Sequence, residues 1–149
     1  MKVLALDPGT LCGFAVSDNG RIISGMWDLS PQREESPGFR YVKLERHLRL
    51  LLEEGRPDVV VYELVERHQG TSAAHVYGAI VGIFQKFCAE NNIPYKAVPN
   101  KTWKKVVVGN GNAKKEAIFE CAKRLWPEIT TQDEADARCI LKYALENVI

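Results

Sequence analysis

Apolar residues arrive in two rhythms along this chain, and the change of rhythm outlines its elements. Val3-Leu4-Ala5-Leu6 is a short apolar run closed by Asp7, which predicts a strand over Lys2–Asp7. A second strand reads from Gly13 to Ser17. Asp18-Asn19-Gly20 then marks a tight turn into a third over Arg21–Trp27, so the chain opens with an antiparallel meander. Ser30–Gly38 is polar, with Pro31 and Pro37, and reads as a loop. Tyr41, Leu44, Leu48 and Leu51 then recur at helical spacing over Phe39–Glu54. Val59-Val60-Val61, within Asp58–Leu64, has the continuous apolarity of a central strand buried on both faces.

Thr71–Glu90 predicts a long, mostly apolar helix, and Tyr95–Val98 a short strand after Pro94. Asn112 is placed to cap a helix carrying Ile118, Cys121, Ala122 and Leu125. Thr131 and Glu134 form a capping box that opens a last helix with Ile140, Leu141, Ala144 and Leu145 along one stripe. Arg138 reads as the i+4 partner of Glu134. The order predicts a single α/β domain over residues 1–149. Its mixed five-stranded sheet joins a three-strand antiparallel meander to parallel strands alternating with helices, which cover both faces.

Composition narrows the function classes. A chain of 149 residues can bury a core without disulfides or metal, and its 46% hydrophobic share is that of a globular domain. No apolar run nears the roughly 20 residues that span a bilayer. Met1–Asp7 meets an acid too early for a signal peptide, so the expected location is the cytoplasm, with no membrane partner. Cys12, Cys88, Cys121 and Cys139 form no Cys-x-x-Cys pair and read as reduced core thiols. The net charge is only +1, so any nucleic-acid surface must come from local clustering of lysine and arginine.

Four acids stand where burial would penalise them. Asp7 and Glu63 each close an apolar strand, and ligands collect beyond the carboxyl ends of parallel strands. Asp133 and Asp136, three apart in the first turn of the last helix, share a face. Carboxylates gathered this way repel unless a hard cation sits among them, which suits Mg2+, with Mn2+ as a substitute. Two such ions could together hydrolyse a phosphodiester. Lys114 and Lys115 open a helix whose dipole disfavours cations, a conflict that a bound phosphate would relieve, with Gly109 and Gly111 letting backbone approach it. Lys101, Lys104 and Lys105 precede them as further phosphate contacts, whereas Arg33, Arg40, Lys43 and Arg46 read as a solvated helix face. Trp103 reads as a core or loop anchor, and Glu66 and Glu116 as solvated charges. His68 is near enough to Glu63 in sequence to line a site.

These residues carry a family likeness. Leu6-Asp7-Pro8-Gly9-Thr10 with Gly13-Phe14-Ala15-Val16 resembles the opening motif of the RuvC-type Holliday-junction resolvases. Tyr62-Glu63 is similar to that family's second acid, Val107–Lys115 to its glycine-rich segment before a lysine-bearing helix, and Asp133-Glu134-Ala135-Asp136-Ala137 to its closing motif. The resemblance runs nearly end to end. It implies a ribonuclease H-like fold and a Mg2+-dependent endonuclease that resolves four-way DNA junctions by two-metal-ion hydrolysis. Asp7, Glu63, Asp133 and Asp136 would then be catalytic metal ligands and Lys115 a catalytic cation. Lys104 would lie near the scissile phosphate, with Lys101, Lys105, Lys114, Arg67 and His68 also toward DNA. The family's junction-distorting aromatic is replaced here by Glu66, followed by Arg67-His68. The resemblance also implies a homodimer, formed through the Thr71–Glu90 region, on branched DNA.

The opening motif is shared with the YqgF group, which is linked to structured RNA, and a broader branched-DNA endonuclease is a further alternative. Actin-like kinases also begin Asp-x-Gly-Thr, but 149 residues leave no room for their second nucleotide-binding half.

Overall fold

A computed structural model describes residues 1–149. Its elements run β1 (Lys2–Asp7), β2 (Leu11–Asp18), β3 (Arg21–Asp28), α1 (Phe39–Glu54), β4 (Val59–Leu64), α2 (Thr71–Glu90), β5 (Tyr95–Pro99), α3 (Asn100–Val107), α4 (Lys115–Leu125) and α5 (Gln132–Asn147). The five strands form one sheet in the order β3-β2-β1-β4-β5. β1 and β3 flank β2 antiparallel, while β1, β4 and β5 run parallel. The mixed sheet expected from the hydrophobic pattern is therefore present.

Strand alternation divides the core into two layers. Val3, Ala5, Ala15, Val59, Val61 and Val98 face α3, α4 and α5, meeting Trp103, Ile118, Ala137 and Ile140. Leu4, Leu6, Val16, Val60 and Tyr62 face α1 and α2, meeting Leu44, Leu48, Ile80 and Phe84. All four cysteines are free and buried. No helix is long and apolar enough to cross a membrane.

Four local expectations need correction. Residues 100–107 form a helix, where no element was expected. Its apolar pattern is too short to declare it, and one fully buried side chain, Trp103, secures it from the tertiary side. Asn112 does not cap α4. Its N–H is taken by Asn110 Oδ1 at 2.9 Å in a local turn, and Lys114 stands at the cap without a side-chain bond. The capping box of α5 is half formed: Thr131 Oγ1 accepts from Glu134 N at 3.1 Å, but the Glu134 carboxylate turns inward and accepts from Ser24 Oγ at 2.8 Å. Arg138 does not pair with Glu134 directly. It donates to the same Ser24 Oγ at 2.8 Å and pairs with Glu128 at 3.4 Å.

Candidate active site

Parity along two neighbouring strands places the first acids. Asp7 shares the side of Val3 and Ala5, and Glu63 that of Val59 and Val61, so both carboxylates leave the sheet toward α5. β1 and β4 are paired in parallel up to Leu6 and Tyr62, which puts the two acids at adjacent strand ends.

The second pair arrives on α5, and a glycine decides how close it comes. Gly13 is the register partner of Asp7 on β2. A Cβ there would lie 1.9 Å from the Asp133 carbonyl oxygen and 3.2 Å from the Ala137 Cβ. Only a residue without a side chain lets the start of α5 rest on the sheet, and that contact carries Asp133 and Asp136 to Asp7. Gln132 Nε2 donates to Asp136 Oδ1 at 3.0 Å.

All four acids line one open cleft of about 920 Å³. Burial pushes the Asp7 carboxyl well above the usual carboxylate range, and the charges of Asp136, Glu63 and Asp133 push it further. Asp136 is pushed up to about 7, first by burial and then by Glu63 and Asp133, against the lowering influence of Gln132 and Lys104. Burial also raises Glu63, opposed by a hydrogen bond from Trp103 and by the Lys104 charge. Burial raises Asp133 too, opposed by Lys115. Such a set is fitted to a hard divalent cation by donor chemistry: four oxygen ligands whose negative charge the fold itself disfavours. The side chains are not drawn round a common point, and no three His, Cys, Asp or Glu residues are grouped closely enough to hold an ion as they stand.

The cations around these acids divide. Lys104, Lys114, Lys115 and His68 line the cleft, with His68 packed on the Tyr77 ring at 4.8 Å. Lys101, Lys105 and Arg67 are exposed and do not line it. Gly109 and Gly111 do not line it either. Gly109 ends α3 at φ +96°, donating to the Lys104 and Lys105 carbonyls, and Gly111 packs on Lys101, whose carbonyl oxygen would lie 3.1 Å from an added Cβ. Glu116, expected as a solvated charge, is exposed but sits in the cleft wall.

Three residues take roles here that their local sequence does not announce. Arg40 belongs to the cleft wall, not to a solvated face, and its Nε is buried without a hydrogen-bond partner. Its signal is topological: a helix leading into a parallel strand starts level with that strand's carboxyl end. Lys43, on the same helix, is likewise tied down, to Glu35 at 2.8 Å and the Ser30 carbonyl at 2.6 Å. Trp103 is fully buried and donates its indole N–H to Glu63 Oε2 at 2.6 Å. Tyr77 donates to the Glu63 carbonyl at 2.8 Å and accepts from Val65 N–H at 3.1 Å. The first turns of α1, α2, α4 and α5 all meet at the cleft, through Arg40, Ser72, Lys115 and Asp133. Their partial positive charge therefore lies beside whatever anion enters.

No protein-family model matches the chain. Individual relatives do. The crossover junction endodeoxyribonuclease RuvC of Geobacter sulfurreducens is 28% identical over 148 residues, covering 94% of this chain and 89% of that protein. The protein of the same name from Chlamydia trachomatis is 25% identical over 146 residues, covering 90% and 83%. Among solved structures, T. thermophilus RuvC in complex with a Holliday junction substrate superposes with a TM-score of 0.77 at 22% identity, over 94% of this chain and 90% of that one. Across nearly its whole length this chain is similar in sequence to proteins named crossover junction endodeoxyribonuclease RuvC, and its fold is that of the T. thermophilus RuvC structure.

Proposed function

We propose that residues 1–149 form one nuclease domain, a structure-selective DNA endonuclease that resolves four-way junctions, with Mg2+ as its natural cation and Mn2+ as a substitute. One observation supports the reading above others. Four carboxylates from β1, β4 and α5 share a cleft whose walls carry Arg40, Lys104, Lys114 and Lys115 and the amino ends of four helices. Acids alone would suit a metal store and cations alone a phosphate site; together they suit a metal-assisted reaction on a polyanion. The similarity to proteins named crossover junction endodeoxyribonuclease makes a branched duplex the natural polyanion.

In this reading Asp7, Glu63, Asp133 and Asp136 hold the cation, which supplies Lewis acidity to the phosphodiester and its attacking water. Lys115, placed to oppose the charge of Asp133, and Lys104, placed to oppose that of Asp136, balance the acids and draw the strand to them. Lys114, Arg40 and His68 extend the phosphate track along the cleft. Lys101, Lys105 and Arg67 serve the flanking duplex arms. Four-way DNA has two equivalent strands to cut, so the working form is a homodimer. Its interface is α2, where Gly78 and Gly82 are exposed and a Cβ at either would touch nothing within 4 Å.

The test is cleavage of junction, flap, linear duplex, RNA–DNA hybrid and structured RNA, in magnesium and in chelator. Preferential cutting of the four-way junction, only with the ion, is expected. Equal cutting of flaps would widen the substrate to branched DNA in general. Cutting of structured RNA alone would move the chain to a YqgF-like activity. Full activity in chelator would end the metal reading.

A further inference from the structure

Glu63 is the one acid of the four gripped from two sides by neutral donors. On one side the Trp103 Nε1–H meets its Oε2 at 2.6 Å, within the buried layer between β4 and α3. An indole N–H donates and never accepts, so the oxygen it engages is kept as an acceptor. The other oxygen, Oε1, takes no hydrogen bond from the protein. On the other side Tyr77 of α2 holds the backbone where β4 ends, donating to the Glu63 carbonyl at 2.8 Å and accepting from Val65 N–H at 3.1 Å. A glutamate has three freely turning side-chain bonds, and left loose in a cleft it would offer its oxygens in many directions. Bonds at the carboxylate and at the backbone leave one oxygen in one place.

We infer that Trp103 and Tyr77 are positioning residues, which set Glu63 to present a single oxygen to a divalent cation. The inference rests on the metal reading of the four acids proposed above. α3 thereby serves the site in two directions, since Trp103 turns inward to the ligand while Lys104, its neighbour in sequence, reaches the cleft. The contribution is orientation, because Trp103 lies outside the cleft lining and Tyr77, which lines it, commits its hydroxyl to the backbone of β4. Partners that orient a ligand typically govern metal affinity by about 10–100-fold.

The decisive measurement is Mn2+ binding to the DNA-free protein, read by electron paramagnetic resonance, for wild type, Trp103→Phe, Tyr77→Phe and Glu63→Gln. Trp103→Phe is expected to weaken the ion by about 10–100-fold, and Tyr77→Phe by less because it keeps the side-chain bond. The magnesium concentration for half-maximal cleavage should rise in step, while junction affinity in chelator stays at the wild-type value. Should Trp103→Phe fail to fold, benzothienyl-alanine at position 103 keeps the shape and removes the N–H. Wild-type Mn2+ affinity in a folded variant lacking that N–H overturns the positioning role while leaving the metal reading intact, provided Glu63→Gln loses the ion. If Glu63→Gln binds Mn2+ as tightly as wild type, both the metal reading and this inference fall.

Discussion

Asp7 interacts with all three of the other acids of the proposed site. Its carboxyl is strongly disfavoured as an anion, by its burial first and its three acidic neighbours second. Asp7→Asn keeps its shape and removes a ligand charge, so cutting should be lost while junction affinity in chelator stays equal or rises. Equal loss of both would make Asp7 structural. The same cluster links stability to pH with a definite sign. Carboxyls whose folded pKa is raised contribute stability that is present below about pH 4, their unfolded value, and is lost as pH rises through the folded values, about 7 for Asp136. The chelated protein should therefore melt several degrees lower at pH 8 than at pH 5. Magnesium should restore the difference at the alkaline end, and Asp136→Asn should flatten the profile. A melting temperature independent of pH and of the ion would contradict this. Among the cations, Lys115→Ala should slow cleavage at saturating protein more than it weakens binding, and lower the salt slope by about one. Arg40→Ala should cost mainly affinity. Arg49→Ala is the control, since that side chain is 72% exposed and pairs only with Glu45 on the surface. Lys115→Ala cutting at the control's rate once bound would remove Lys115 from the site.

At the scale of elements, the site depends on one crossing, that of α5 over β2. Gly13 makes it possible, and Gly13→Ala would set a methyl carbon against the Asp133 carbonyl. Because the obstacle is backbone, α5 must lift rather than a side chain rotate. Stability should fall by at least about 1–3 kcal/mol, and cleavage by far more than the lost folded fraction accounts for. Gly13→Ala with wild-type melting and activity would show that α5 tolerates displacement. The strands and long helices were legible because their burial is written in consecutive residues, as a continuous run in Val59-Val60-Val61 and as a helical stripe in Leu44 and Leu48. α3 was not legible: eight residues with one buried side chain present no period, and tertiary packing of Trp103 decides the helix. The inward turn of Glu134 was hidden for a related reason. Its half-buried partner, Ser24, lies 110 residues away on β3, where a nearer backbone N–H looked sufficient.

At the scale of the whole molecule, a four-way junction calls for two active sites, and the open face of α2 is where a second copy fits the proposal. Gly82→Glu on that face should convert a dimer to a monomer in light scattering and leave the melting temperature of the monomer nearly unchanged. Binding of four-way DNA should then weaken more than binding of linear duplex. A dimer unaffected by the substitution would move the interface elsewhere. The amino-acid sequence by itself determined the mixed sheet and every element but α3, and it singled out the four acids, because hydrophobic period and acids closing apolar strands are local signals. It also marked Lys104, Lys114 and Lys115 near the acids. Only the tertiary structure decided that Arg40 faces the cleft, that Lys101, Lys105 and Arg67 do not, and that Trp103 and Tyr77 hold Glu63. The reason is physical: which way a side chain points, and what it meets there, depends on how distant elements cross. Here that crossing turns on the missing side chain of Gly13, a residue whose own neighbours in sequence give no sign of what lies above it.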